Sequence, residues 1–444
     1  MQPTIITGIG IYSCIGQNCQ EVTASLHEGR SGIGVDPRRT ELGYQSPLTG
    51  LVPFPDLSKE PLRNAQRRCM AEQTAYAYCA VKEAIAQAKL TPDDLSHAAL
   101  IVSNDSCAAS GAETEAIMAE YHDSRRLGGF QVFKNLNSTT SMSLASIFGI
   151  GGLSLSLSAA CAGGGHAIGI AHSLISAGVI DMAIVVGAQE VGPRAYAAFD
   201  ALGVFSRNVT RPAEASRPFD TQRDGLVPSG GAACVILESR AHLSYRRSVC
   251  CDAIATHSLP PLASIFGYGF STSPNIVTPS AESILAAMMM ALGCHAQHVA
   301  AYLTTIFPHA TSTRDGDRAE AEAISDLLAS VPDDILPIQS AIGSDIMPGL
   351  KKTSPLVVPT KALTGHECWM SGVSQVVYAL IQQQGGFAAP HPYLYEKDVA
   401  AASLNIPVVA KDYEHRLFLC NAFGFGGTNA SLLIAAPSII PPLD

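Results

Sequence analysis

Along most of the chain, short apolar runs alternate with stretches of helical periodicity. Residues 4–11 (TIITGIGI) read as a strand that ends near a glycine turn, and residues 70–90 as a long alanine-rich amphipathic helix. Residues 98–103 predict a strand ending in polar residues, and 153–158 predict another. A glycine-rich helix is expected from about 162 to 178, then strands over 180–187 and 232–238. Continuous apolar strands that alternate with helices predict an α/β protein with largely buried sheets.

The second half repeats that rhythm. Residues 262–269 (LASIFGYG) loosely echo residues 6–11 (ITGIGI). Helices are expected over 281–292, 320–328 and 371–384, with strands over 299–305, 416–422 and 429–435. The echo predicts two similar halves packed together. Residues 239–262 break the pattern with Arg246-Arg247, Cys250-Cys251 and Pro260-Pro261, and read as the connection. The halves are therefore placed at 1–250, holding a candidate nucleophile, and 251–444, holding a His/Lys/His set and a glycine-rich loop.

Composition narrows the class. Of 444 residues, 47% are apolar and 15% charged, which suits a large core and argues against disorder. A mean hydropathy of +0.20 raises the question of a membrane span. The longest stretch without a charged residue, 135–180, is interrupted throughout by serines, glycines and two histidines. It reads as buried core, and no span is expected. No Lys or Arg precedes the first apolar run, unlike a signal peptide, and a cytoplasmic location is expected. A formal charge of -10 without long basic runs argues against a nucleic-acid partner. The 12 cysteines show no paired zinc spacing, so no metal is expected and most read as buried thiols.

Four segments carry residues suited to chemistry. In SAACAGGGH (158–166), Cys161 stands where a strand gives way to a small-residue helix. A helix N-terminus offers free N–H groups and positive potential, both favouring thiolate. On local sequence alone, a buried core cysteine is the simpler reading. In PHATST (308–313), His309 can donate to a carbonyl oxygen while Thr311 and Thr313 bind a polar arm such as pantetheine. A loop histidine capping the acidic helix that comes next fits the same residues. In KALTGH (361–366), Lys361 and His366 flank a glycine turn, where the ammonium would favour a neutral imidazole. A solvated surface lysine fits equally. The loop NAFGFGGTN (421–429) can expose N–H groups as an oxyanion hole, or be a plain hairpin turn. No Lys and Ser/Thr come after it in the order a phosphate-cradling loop needs. Together the four segments supply a nucleophile, two imidazoles, a cation and an oxyanion donor, the parts of acyl transfer through a thioester.

With SAACAGGGHAIG, RPFDTQRDGLVPSGGAA (217–233), HATST, KALTGH and NAFGFGGTNAS in that order, the chain resembles the β-ketoacyl-acyl carrier protein synthases of the thiolase superfamily. The likeness is greatest to the elongating types I and II and runs from Ile5 to about Leu433; EVTASLHEGRSGI (21–33) resembles the family's N-terminal helix and loop. The resemblance implies a thiolase-like α/β fold, duplicated in five layers, α-β-α-β-α, and a dimer. It implies that Cys161 takes an acyl group from acyl carrier protein or CoA. Malonyl-carrier protein then loses carbon dioxide, and the enolate attacks the Cys161 thioester to give a 3-oxoacyl product. By resemblance, His309 and His366 stabilise the enolate as neutral donors, and Lys361 orients His366. The N–H groups of Cys161 and Phe425 form the oxyanion hole, with Phe425 also gating the acyl pocket. Glu320 supports this network, and Thr311 and Thr313 hold the carrier's phosphopantetheine; no further cofactor is implied.

The chain also departs from the family. Ala310 stands where Gly is usual, Pro308 where Ala or Ser is usual, and Asn104-Asp105-Ser106-Cys107 where housekeeping members run glycine-rich. Glu367, Cys368, Trp369 and Met370 replace small residues, and Trp369 is the single tryptophan of the chain. By position, Cys107 and Leu136 are expected to line the acyl pocket, Leu136 from across a dimer interface. These departures point to a special acyl chain, such as a polyene or other polyketide. They also leave open a homodimer or a heterodimer with an inactive, chain-length-determining homologue, in which this chain is the active partner. Arg63, Arg67, Arg68, Arg125 and Arg126 are the expected docking residues for an acidic carrier protein. Two alternatives remain: a thiolase acting on CoA substrates without decarboxylation, and a non-catalytic chain-length subunit, against which Cys161, His309 and His366 argue.

Overall fold

The computed structural model describes residues 3–249, 259–342 and 350–440. Its main elements form two matching series. The first is β1 (Thr4–Tyr12), α1 (Glu72–Ala88), β2 (Ala99–Ser103), α2 (Ala108–Tyr121), β3 (Ser154–Leu157), α3 (Gly163–Ser176), β4 (Met182–Gln189) and β5 (Gly231–Glu238). The second is β6 (Ala263–Thr272), α4 (Ala281–Leu292), β7 (Thr305–Phe307), α5 (Arg314–Ala329), β8 (Leu356–Val357), α6 (Ser371–Gly385), β9 (Leu417–Phe423) and β10 (Thr428–Ala435). The strands form one sheet in the order β8-β7-β9-β10-β6-β1-β5-β4-β2-β3. Each strand of the first half has its counterpart five strands later, at the equivalent place in the sheet. The directions match too: β1, β5 and β4 pair antiparallel, and β4, β2 and β3 parallel, as do β6, β10 and β9, then β9, β7 and β8. The echo between residues 6–11 and 262–269 thus falls on equivalent strands, β1 and β6, which join the halves through Thr4–Ile265, Ile5–Ser264 and Ile6–Ala263.

The apolar faces dictate the layers. β1 is buried along its whole length, because helices cover both faces of its half-sheet. α1 packs outside β1 and β5, and α4 outside β6 and β10. α3 and α6 lie between the half-sheets: α3 touches β2 and β4 but also β6, β9 and β10, while α6 touches β1, β4, β5 and β9. Three apolar cores result, around Val81 and Ile184 on one outside, Ile9, Ile168 and Val373 in the middle, and Met288 and Ile324 on the other outside. The layering is α-β-α-β-α. Glycine sets the closest approaches. A Cβ on Gly10 would strike the Ala80 carbonyl oxygen of α1, and one on Gly269 the Ala287 carbonyl of α4. A Cβ on Gly372 would strike the Gly165 nitrogen, so the two central helices touch backbone to backbone.

Several expected boundaries move. Residues 299–305 are not a strand: Ala296–Ala300 is helical and the strand begins only at Thr305. Val299, Ala300, Ala301 and Leu303 are all buried, and a short apolar run buries itself equally well in either form. The helix expected over 320–328 starts at Arg314, and that expected over 70–90 starts at Glu72, after a separate helix Asn64–Cys69. Inside the expected connection, Arg240–Val249 is helical, and Arg246 donates to Glu238 at 2.7 Å. The 250/251 division and the Cys250-Cys251 pair lie outside the described residues. No helix among the described residues is long and apolar enough to cross a membrane.

Candidate active site

Equivalent crossovers of the two halves supply the first two groups. Between β3 and α3, the turn Ala160–Ala162 sets Cys161 at the head of α3. Ala160 adopts a φ of 47°, a conformation costly for an L-residue, and its N–H is held by Asp105 Oδ2 at 2.8 Å. Between β8 and α6, the short helix Lys361–Thr364 and the Gly365 turn bring His366 to Cys161. His366 Nε2 lies 3.1 Å from Cys161 Sγ, and Ser371 Oγ lies 3.2 Å from His366 Nδ1. Cys161, Lys361 and His366 are all buried.

His309 comes just after β7, and its ring stands at 89° to that of His366 with centroids 5.1 Å apart. Glu320 on α5 accepts from the His309 N–H at 2.8 Å, the Ala310 N–H at 2.7 Å and Asn421 Nδ2 at 3.1 Å. Ser312 has a φ of 70° and Ala310 one of 20°, so the usual glycine after the histidine has been replaced at the margin of the left-handed region. Burial, then Lys361 and His366, push His309 well below the ordinary imidazole range and keep it neutral. Lys361 Nζ lies 3.4 Å from Gln375 Oε1, and Gln375 Nε2 donates to the Pro308 carbonyl at 2.8 Å. That amide on α6 therefore couples the lysine to the His309 loop. Burial lowers the Lys361 ammonium, opposed by the nearby Glu367 and Glu320.

The thiol itself is poised. Hydrogen bonding from Cys368 lowers the Cys161 thiol well below its ordinary range; His366 and Lys361 add to this, against burial. Cys368 is the donor thiol, held above its own range by that bond and by burial. It is buried and has a φ of 43°. Next to it, Glu367 accepts from Tyr378 OH at 2.5 Å and from Ser374, and burial raises it to about 7.

The 421–429 loop closes the site. A Cβ on Gly424 would sit 3.0 Å from the Cys161 nitrogen, so glycine lets the loop lie against that amide. A cavity of about 350 Å³ reaches Cys161 and is lined by His309, Thr311, Thr313, His366 and Phe425, among others. That is room for a narrow arm rather than a large ligand. Phe425 packs on Phe199 at 5.9 Å, and Phe199 on Trp369 at 6.2 Å.

The structure thus gathers Cys161, His309, Lys361, His366, Glu320, Thr311, Thr313 and Phe425 around one cavity or its immediate support. It sets the other expected residues apart. Cys107 Sγ lies 3.3 Å from Gln73 Nε2 and from the Leu136 carbonyl, in the lobe around α2, and neither Cys107 nor Leu136 lines that cavity. Leu136 is exposed. Arg67 is bound to the Leu57 and Glu60 carbonyls. Arg68 lies over Phe130 at 4.4 Å, Arg126 over Tyr121 at 5.2 Å, and Arg125 pairs with Asp123 at 2.8 Å. Arg63 precedes the helix Asn64–Cys69 and is exposed. Sequence reasoning missed Asp105, Cys368, Ser371 and Gln375. The unusual runs from Asn104 to Cys107 and from Glu367 to Met370 were signals for Asp105 and Cys368; Ser371 and Gln375 had none, since their partners come from distant elements.

Comparisons with known proteins give one consistent result for the chain as a whole. Family models described as beta-ketoacyl synthase, N-terminal domain, and beta-ketoacyl synthase, C-terminal domain, match residues 1–242 and 262–345. The chain is 32% identical to 3-oxoacyl-(acyl-carrier-protein) synthase 1 of Escherichia coli strain K12, over 98% of this chain and 99% of that one. A beta-ketoacyl synthase from Burkholderia phymatum STM815 superposes with a TM-score of 0.82 at 25% identity, covering 98% of this chain and 100% of that one. The ishigamide ketosynthase/chain length factor superposes with a TM-score of 0.81 at 24% identity, covering 98% and 99%, a likeness of fold.

Proposed function

The chain belongs to the β-ketoacyl synthase family, and on that premise we propose that it forms a carbon–carbon bond by decarboxylative Claisen condensation. In this reading the Cys161 thiolate attacks an acyl thioester of acyl carrier protein, and the carrier's thiol leaves. Malonyl-acyl carrier protein then enters beside Thr311 and Thr313, whose hydroxyls lie 3.1 Å apart on the cavity wall. The malonyl C–C bond breaks, carbon dioxide departs, and the electron pair passes into an enolate. His309, kept neutral by its burial, and His366 donate to the enolate oxygen, which acquires its charge only in this step. The carbanion attacks the Cys161 thioester, the N–H groups of Cys161 and Phe425 hold the tetrahedral oxyanion, and the Cys161 thiolate is released. The product is a 3-oxoacyl-acyl carrier protein. Lys361 positions the histidine loop through Gln375, and Glu320 pins the His309 backbone.

The carrying observation is the convergence of a lowered thiol, an imidazole at 3.1 Å and a second, neutral imidazole on one cavity. A thiolase reading draws on Cys368, a second thiol beside the first, but its raised thiol makes a poor base near neutrality. The test incubates the protein with acyl- and malonyl-acyl carrier protein and weighs the products. Cys161→Ala is expected to abolish condensation; substantial 3-oxoacyl product from that variant would sink the reading. Decarboxylation alone does not decide it.

Surface features point to partners. Exposed Arg63, Arg68, Arg125 and Arg126, with Arg67, suit an acidic carrier protein. In the same assay Arg68→Glu with Arg126→Glu should raise KM for carrier-bound but not CoA-bound acyl groups; equal effects on both would reject the docking site. β3 ends the sheet with one side unpaired, beside exposed Leu153 and Met142, a surface suited to a second copy or a homologous subunit. Sedimentation of the isolated chain as a monomer would reject self-pairing. The departures around Trp369 favour a specialised polyene or polyketide chain over a housekeeping fatty acid.

A further inference from the structure

Trp369 lies in a small cluster that does not belong to any of the three large cores. Its neighbours there are Cys161, Tyr196, Phe205, Leu226 and Cys368, with Phe199 against its ring. Leu226 and Val204 of this cluster line the cavity at Cys161, as does Phe425, which packs on Phe199, and Trp369 is set behind that lining. The residue is fixed in place: Ser103 Oγ donates to its carbonyl at 2.8 Å, and only 9% of it is exposed. Yet its indole N–H is buried without a hydrogen-bond partner. The polar atoms of the cluster do not relieve it, since Tyr196 OH donates to the Ser229 carbonyl, Cys368 Sγ to the His366 carbonyl at 3.8 Å, and Cys161 Sγ faces His366 Nε2. A buried donor left unpaired is costly, and a site that keeps one discriminates for a ligand bearing the matching acceptor.

We propose that Trp369 selects the acyl chain carried on Cys161: its ring limits the chain's length, and its indole N–H binds an oxygen, hydroxyl or keto, borne on that chain. The preferred substrate is then an oxygenated acyl group rather than a plain saturated one. The proposal rests on Cys161 being the acyl acceptor. The tryptophan is the only one in the chain, so its fluorescence reports on the site alone.

Acylation of Cys161 can be timed by intact mass with pantetheine thioesters of hexanoate, 3-hydroxyhexanoate, 5-hydroxyhexanoate and dodecanoate. Wild type should take one of the hydroxylated chains about tenfold or more faster than hexanoate, the factor equivalent to one satisfied buried donor. Trp369→Phe, which keeps a ring but removes the N–H, should erase that preference by slowing only the hydroxylated chain. Trp369→Ala should admit dodecanoate. In wild type, loading the preferred chain should shift the tryptophan emission relative to the hexanoyl form. Equal wild-type rates for hydroxylated and plain chains, or a preference that survives in Trp369→Phe, would overturn the hydrogen bond. Fast wild-type loading of dodecanoate would overturn the length limit. No mass shift on Cys161 with any of the four would instead overturn the proposed function itself.

Discussion

At the scale of the residue, reactivity at Cys161 comes from its neighbours. Two donors, His366 and Cys368, face one sulfur in a site that water does not reach freely, and Lys361 adds positive potential. Replacing Cys368 by Ala removes the largest of these influences and spares the two histidines. The iodoacetamide alkylation profile of Cys161 should then move to higher pH, since less would hold the thiolate. An unchanged profile would show that Cys368 merely fills space. Cys161, His309 and His366 were legible in the sequence because each sits in a short motif of small residues. Cys368 was not legible as a partner. Its approach depends on a φ of 43° and on two turns from opposite halves meeting, which no local pattern encodes.

At the scale of the element, the site is assembled at the C-terminal ends of strands. Cys161 lies just beyond β3, His309 just beyond β7 and His366 beyond β8, so the sheet fixes three departure points and the turns do the rest. Ala160, Ser312 and Cys368, with φ values of 47°, 70° and 43°, show that these turns hold backbone strain of roughly 1–3 kcal/mol each. The contact of α3 with α6 sets the gap between Cys161 and His366. Gly372→Ala would drive a methyl against the Gly165 nitrogen, which should cost about 3 kcal/mol and widen that gap. Denaturant melting and the rate of Cys161 acylation should fall together; a variant with wild-type values for both would refute the coupling. Most long strands and helices were legible because covered faces demand continuous apolar runs; α2, which buries only Ser110, offered no such run and was not. β7 and β8 were not. β7 spans only Thr305–Phe307 and β8 only Leu356–Val357, and both are defined by partners rather than by their own pattern.

At the scale of the whole molecule, charge is buried where the halves meet. Burial raises Glu367 and Asp317 to about 7 each. An unfolded carboxyl titrates near ~4, so between about 4 and 7 the folded chain keeps protons that the unfolded chain has released. Stability from these groups is therefore full at the acid end of that window and lost as pH rises through it. Glu367→Gln cannot release the proton. The melting temperature of wild type should fall relative to this variant between pH 4.5 and 7.5, and a gap independent of pH would contradict the assignment. The duplicated plan was legible only as a faint likeness between two glycine-bearing strands. The rest of the symmetry is carried by strand order and backbone directions.

The matched order of strands has one more consequence. Two equal halves related in this way are, in effect, a symmetric pair of subunits tied by one thread, and such a pair begins with two identical sites. Once the copies share a chain, each is free to lose what the other keeps. One crossover here retains a sulfur and its counterpart an imidazole, so the asymmetry of the chemistry is a division of labour between siblings. The thiol lies in the first half and both imidazoles in the second, so the site needs the two together.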